Sequence, residues 1–299
     1  MELPPWQQAF LRRHRLPETY LWYAQQWFMP LAERLVAHQN SAQRPVLVAL
    51  NGSQGSGKTT VCDYLRCFLK EHAALRVLSL SLDDFYLTRA EREDLAARIH
   101  PLLATRGVPG THDMMLLQQT LAALLATEPG TLEVPRFDKS VDDRVPRAAW
   151  DEVTGGVDIV LLEGWCLGAR AQTEKELAAP VNDLEAGEDP RGEWRHYVNE
   201  VLSREFEPLY ALVDQWVMLA APSFDCVYRW RLEQEQKLAE RSQGDGIMSA
   251  SQVARFIQFY ERITRHCLAQ LPSRVHDFYQ LDEARQVSSH RYSKSPGNE

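Results

Sequence analysis

Eight residues, Gly52-Ser53-Gln54-Gly55-Ser56-Gly57-Lys58-Thr59, match the spacing G-x-x-x-x-G-K-[ST] of a loop that wraps polyphosphate. Glycines at these places let the backbone turn tightly and aim its N–H groups at an anion. A helix starting just beyond adds the positive end of its dipole. In such a loop Lys58 reaches the β- and γ-phosphates and the Thr59 hydroxyl ligates Mg²⁺. Gly52 through Thr60 are therefore the candidate nucleotide-binding residues, with a nucleoside triphosphate and Mg²⁺ as the ligands. A Gly/Ser-rich linker can match this spacing by accident, but the required order of strand, loop and helix is also present. Val46-Leu47-Val48-Ala49-Leu50 reads as a buried parallel strand, and Thr60 to Lys70 is helix-compatible, with Val61, Leu65, Phe68 and Leu69 near one face.

The loop does not say what receives the phosphate. A second strand, Arg76 to Leu82, ends in Asp83-Asp84-Phe85-Tyr86. Ligands of doubly wound sheets sit at the carboxyl ends of the strands, which makes Asp83 a candidate general base toward an acceptor hydroxyl or a water-mediated partner of Mg²⁺. Asp84 is as well explained by a turn or helix cap. Asp158-Ile159-Val160-Leu161-Leu162-Glu163 is an apolar run ending in a carboxylate, as in a Walker-B strand, and sets Glu163 to bind Mg²⁺ directly or through water.

Further residues surround these acids. Arg106-Gly107-Val108-Pro109-Gly110-Thr111-His112-Asp113 is a loop feeding a helix over Met114 to Ala126. Arg106, His112 and Asp113 face the acceptor on a functional reading, whereas Asp113 or Thr111 simply caps the helix on the other. Arg136, Lys139 and Arg144 stand among three aspartates, in a segment that is either a solvated loop or a source of cations for an anionic substrate. Residues 224–246 form a candidate lid, whose helical part carries Arg229, Arg231 and Lys237. Its arginines could cover the γ-phosphate, although pairing with Glu233, Glu235 and Glu240 along the helix accounts for them equally well.

The elements that position this machinery imply an α/β protein with a doubly wound, mainly parallel sheet. Residues 1–45 read as an N-terminal helical extension with an aromatic segment, Tyr20, Trp22, Tyr23, Trp27 and Phe28, suited to core packing. The kinase-like domain spans 46–287, with strands at Gln215–Ala221 and around Phe278–Leu281 and helices near 88–105, 196–212 and 249–271. Residues 171–195, polar, acidic and broken by Pro180, Gly187, Pro190 and Gly192, read as a mobile surface insertion, and 288–299 as a disordered tail. A net charge of −8 over 299 residues argues against nucleic acid as a partner. Five cysteines without zinc-site spacing, no signal-like start and no long apolar run point to reduced thiols, a cytoplasmic protein and no membrane span.

The guanine-reading N-K-x-D and the transporter signature L-S-G-G-Q are both missing, which narrows the P-loop classes toward small-molecule kinases. Gly52–Thr59, Asp83-Asp84-Phe85-Tyr86, the Arg106–Asp113 loop, Phe137-Asp138-Lys139-Ser140 and Leu161-Leu162-Glu163-Gly164-Trp165 together resemble the D-glycerate 3-kinase family. Pantothenate kinase, uridine kinase and phosphoribulokinase are its wider relatives. The likeness runs from about Val46 to Leu281 and includes Trp230-Arg231-Leu232-x-x-Glu235. It implies transfer from ATP·Mg²⁺ to the 3-hydroxyl of D-glycerate, a small anionic hydroxy acid, with the catalytic aspartate at Asp83 and the Mg²⁺-linked glutamate at Glu163. Glycerate's carboxylate would then draw on Arg106 or Arg136, beside Lys139, with Tyr86, His112 and Asp113 toward its hydroxyls. A different alcohol, nucleoside or pantothenate-like, and a non-catalytic ATP-binding regulator are the competing readings.

Overall fold

The structure is a computed structural model that describes residues 3–126, 130–239 and 248–297. Three helices lead the chain: α1 (Pro5–His14), α2 (Thr19–Trp27) and α3 (Met29–Ala42). The phosphate-loop unit follows as β1 (Val46–Gly52), α4 (Lys58–Ala73) and β2 (Val77–Ser81), then α5 (Arg89–Arg98) and α6 (Met114–Leu124). Four short strands build two small hairpins, β3 (Thr131–Val134) with β6 (Asp151–Thr154) around β4 (Phe137–Asp138) with β5 (Asp143–Arg144). After β7 (Ile159–Gly164) come α7 (Glu174–Leu177), α8 (Asp183–Glu188), α9 (Glu193–Val201), α10 (Glu207–Leu209) and β8 (Gln215–Ala220). The chain closes with α11 (Phe224–Ala239), α12 (Ala250–Gln270), β9 (Asp277–Leu281) and β10 (Val287–Tyr292).

Six strands form the main sheet in the order β10-β9-β8-β1-β7-β2, parallel throughout except for the antiparallel β10. Every residue of β1 and of β7 is buried, as expected when helices cover both faces of a parallel sheet. Placing β1 in the middle, with β7 and β8 beside it, sets the phosphate loop at the point where strand order reverses, the usual ligand crevice of such sheets. The leading helices join the same core. Trp6 and Phe10 lie against Tyr64 of α4, at ring separations of 6.2 and 5.7 Å, and Phe28 meets Tyr279 of β9 edge-on at 5.5 Å. Trp22 of the aromatic segment does not join them and is 75% exposed.

Two sequence expectations are corrected. Residues 288–292 of the expected disordered tail belong to β10, which pairs antiparallel with β9. The supposed surface insertion is tied into the core by charges. Arg262 of α12 donates to both oxygens of the fully buried Glu185 at 2.8 and 2.6 Å, and Arg195 pairs with the buried Asp189 at 3.0 Å. Three of its charges, Glu185, Asp189 and Arg195, are buried in internal pairs, while the others face solvent. Of the candidate lid, 224–239 is the helix α11, while 240–246 lies outside the described residues.

Candidate active site

The loop from β1 to α4 is built around close approach. Gly55 has φ +77°, and a Cβ there would stand 2.8 Å from the Trp230 Cβ, so α11 packs directly on the loop. Within the loop Ser53 Oγ, Ser56 Oγ and Gln54 Oε1 are buried without a hydrogen-bond partner, an arrangement that costs stability unless a ligand completes it. Parallel register brings Glu163 level with Leu50 of β1 and Ser81 of β2. The Thr59 hydroxyl donates to Glu163 Oε1 at 2.9 Å, and Lys58 Nζ lies 3.7 Å from Glu163 Oε2. Glu163 is only 4% exposed, and its Oε2 accepts no hydrogen bond. Mg²⁺ is commonly held by one or two protein groups, with phosphate and water completing the shell. The Thr59–Glu163 pair fits that demand, and among the described residues no cluster of three His, Cys, Asp or Glu forms a dedicated metal cage.

Across from Lys58, β2 ends in a 3₁₀ turn over Leu82–Phe85, where the Ser81 hydroxyl accepts from the Asp83 amide at 3.3 Å. The Tyr86 phenol donates to Asp83 Oδ1 at 3.0 Å and Lys139 Nζ to Asp83 Oδ2 at 2.5 Å. Burial pushes the Asp83 carboxyl up, but the charges of Lys139 and Lys58 outweigh it and bring its pKa to about 2. Tyr86 stacks on His112 at 4.5 Å, and the two backbones form an isolated antiparallel bridge. His112 is 3% exposed, with neither ring nitrogen hydrogen-bonded. Burial lowers its pKa to about 4, against weaker opposing pulls from Asp83 and the Val108 carbonyl. The ring is neutral at pH 7.

The remaining cations on this side are committed elsewhere. Arg136 binds Asp84 at 2.9 Å and Asp151 at 2.7 Å, fastening the hairpins to the 3₁₀ turn. Arg106 pairs with Asp142 and lies over the Phe137 ring at 5.6 Å. Asp113 caps α6 by accepting from the Leu116 amide at 2.9 Å and binds Arg144 at 3.2 Å. On α11 the two arginines expected to act as a lid diverge. Arg229 reaches out to Glu283 at 3.1 Å and is 54% exposed, while Arg231 pairs with the buried Glu235 at 2.5 Å beside Phe256.

No protein-family model matches the chain. Individual relatives do. A chloroplastic D-glycerate 3-kinase of Arabidopsis thaliana is 35% identical over 227 residues, 72% of this chain but only 46% of the plant protein, so the match spans about half of that relative. An uncharacterized kinase of Schizosaccharomyces pombe is 31% identical over 246 residues, covering 78% of this chain and 84% of its own. The solved D-glycerate 3-kinase of Cryptococcus neoformans superposes with a TM-score of 0.73 at 26% identity, over 88% of this chain and 96% of that one. The chain belongs to the D-glycerate 3-kinase family of P-loop kinases.

As a member of this kinase family it has the expected α/β fold, a mainly parallel sheet with the phosphate loop at its centre. The structure brings Lys58, Thr59 and Glu163 together, and gathers Asp83, Tyr86, His112 and Lys139 beside them. It does not turn Arg106, Arg136 or Arg229 toward that group, because each meets a carboxylate brought close by the fold. Tyr260 of α12 was missed as a site wall. Its phenol donates to the Arg106 carbonyl at 3.3 Å and stands 2.4 Å from where a Gly107 Cβ would lie, at φ +142°. The glycine is the one local signal that something approaches there. Trp165 fixes the same loop by donating to the Gly107 carbonyl at 3.0 Å.

Proposed function

We propose that this kinase transfers the γ-phosphate of ATP to the 3-hydroxyl of D-glycerate, giving 3-phosphoglycerate and ADP. The observation that carries the reading is the Asp83 carboxylate, held by Tyr86 and Lys139 near Lys58, beside the His112 wall. The substrate hydroxyl oxygen attacks the γ-phosphorus, the bond to the β–γ bridging oxygen breaks, and Asp83 takes the hydroxyl proton. Lys58 neutralises the charge that develops on the β- and γ-phosphates as the bond to ADP breaks. Thr59 and Glu163 would hold Mg²⁺, which when bound neutralises charge on the β- and γ-phosphates. Lys139 supplies the cation for the substrate carboxylate, and the unpartnered nitrogens of neutral His112 suit a substrate hydroxyl. The names of the plant and fungal relatives support glycerate as the acceptor.

All five cysteines are free, which suits a reducing compartment such as cytoplasm. No helix among the described residues is long and apolar enough to cross a membrane. An acceptor screen with coupled ADP detection tests the proposal. D-glycerate should give saturable turnover well above a nucleoside or a pantothenate-like alcohol. Turnover on one of those with none on glycerate would transfer the reading to that alcohol. ATP binding without turnover on any of them would favour a regulator.

A further inference from the structure

We propose that Lys139 is a latch on the catalytic base, opened by the carboxylate of the correct substrate. The inference rests on the assignment of Asp83 as the base that accepts the acceptor's proton. Both Asp83 oxygens are engaged in this structure: Tyr86 donates to Oδ1 at 3.0 Å and Lys139 to Oδ2 at 2.5 Å. A carboxylate closed in this way holds its negative charge too firmly to attract a hydroxyl proton, and Lys58 adds to that effect.

The other cations around the acceptor side have partners that take no part in the reaction. Arg106 has Asp142, Arg136 has Asp84 and Asp151, and Arg144 has Asp113 and the Tyr86 carbonyl. Lys139 differs in that its partner is Asp83 itself. It also has the freedom to leave. It stands in the turn between β4 and β5, 58% exposed, on a flexible four-carbon stem that carries a compact charge. An incoming hydroxy acid brings a carboxylate of the same charge as Asp83. When Lys139 moves to that carboxylate, the ion pair is exchanged rather than lost, and Asp83 Oδ2 becomes free to accept the proton. Water and neutral alcohols bring no such group, so the base stays closed to them. The latch therefore selects for an anionic acceptor and restrains transfer of phosphate to water.

The test compares wild type with Lys139→Met and Lys139→Arg in three assays: ATP hydrolysis without acceptor, turnover with glycerol, and turnover with D-glycerate. Opening the base should raise hydrolysis and glycerol turnover in Lys139→Met by about tenfold, a fraction of what a general base contributes. The KM for glycerate should rise by at least about tenfold through loss of the carboxylate partner. Lys139→Arg, which keeps a cation beside Asp83, should raise hydrolysis less than Lys139→Met does. A lysine that only binds substrate predicts unchanged hydrolysis and glycerol turnover in Lys139→Met, and a purely structural one predicts a fall in all three assays. Either result overturns the latch. Wild-type inactivity on glycerate would sink the substrate assignment instead, while the hydrolysis comparison would still decide the latch.

Discussion

Thr59 and Glu163, 104 positions apart in sequence, are joined by a 2.9 Å hydrogen bond between the start of α4 and the end of β7. The bond fixes the spacing between a hydroxyl and a carboxylate that both suit Mg²⁺, and Lys58 stands on the carboxylate's other oxygen at 3.7 Å. Removing the charge at this point should weaken metal use and leave the loop intact. Glu163→Gln should raise the Mg²⁺ concentration needed for half-maximal turnover by about 10–100-fold, with metal-free ADP binding unchanged. A titration of turnover against Mg²⁺ checks this, and an unaltered requirement would remove Glu163 from the metal.

Gly55 is a second sensitive point. Alanine there would adopt a left-handed backbone, costing about 1–2 kcal/mol, and would press on the Trp230 side chain from 2.8 Å. Gly55→Ala should weaken ATP binding by about tenfold, measured by calorimetry, with the rest of the fold retained. Wild-type affinity would show that the loop and α11 tolerate separation.

His112 makes stability depend on pH. Its folded pKa of about 4 lies below the usual value of 6.5. The unfolded chain therefore binds more protons in that window, and the stability associated with a neutral His112 is complete above pH 6.5 and lost as pH falls toward 4. The full effect is on the order of 3 kcal/mol. His112→Phe keeps a ring against Tyr86 and removes the titration. Urea unfolding at pH 7 and pH 5 should show a clearly smaller difference in the variant than in wild type. Equal differences would mean that His112 is not the group responsible.

The pairing of Arg262 with Glu185 ties the 171–195 segment to α12. Glu185 has no solvent exposure and Arg262 is 7% exposed. Arg262→Met would leave a buried carboxylate unpaired and should cost about 3–5 kcal/mol, read from the denaturant midpoint. A change below about 1 kcal/mol would fit a solvated surface pair instead.

Much of the nucleotide half was legible because its chemistry is contiguous. Gly52 to Thr59 needs one backbone turn, and Glu163 ends an apolar run recognisable as a central strand. The acceptor half depends on distant pairs. Lys139 and Asp83 are 56 residues apart, so their contact depends on how the β4–β5 hairpin docks. Arg106 and Arg136 have the right charge for a substrate carboxylate, but Asp142, Asp84 and Asp151 lie close enough to take them first. No local pattern distinguishes those outcomes. Buried charges misled in the same way, since Glu185, Asp189 and Arg195 look solvated until their partners are known. Edge strand β10 escaped notice because most of it faces solvent, leaving no apolar run to read.

Phosphorus NMR of the products from ATP and D-glycerate shows directly where the phosphate goes. 3-Phosphoglycerate should form in step with ADP, and Asp83→Asn should reduce its rate by about two or more orders of magnitude while still binding ATP. Phosphate on the 2-hydroxyl, inorganic phosphate alone, or full activity in Asp83→Asn would contradict the proposed function.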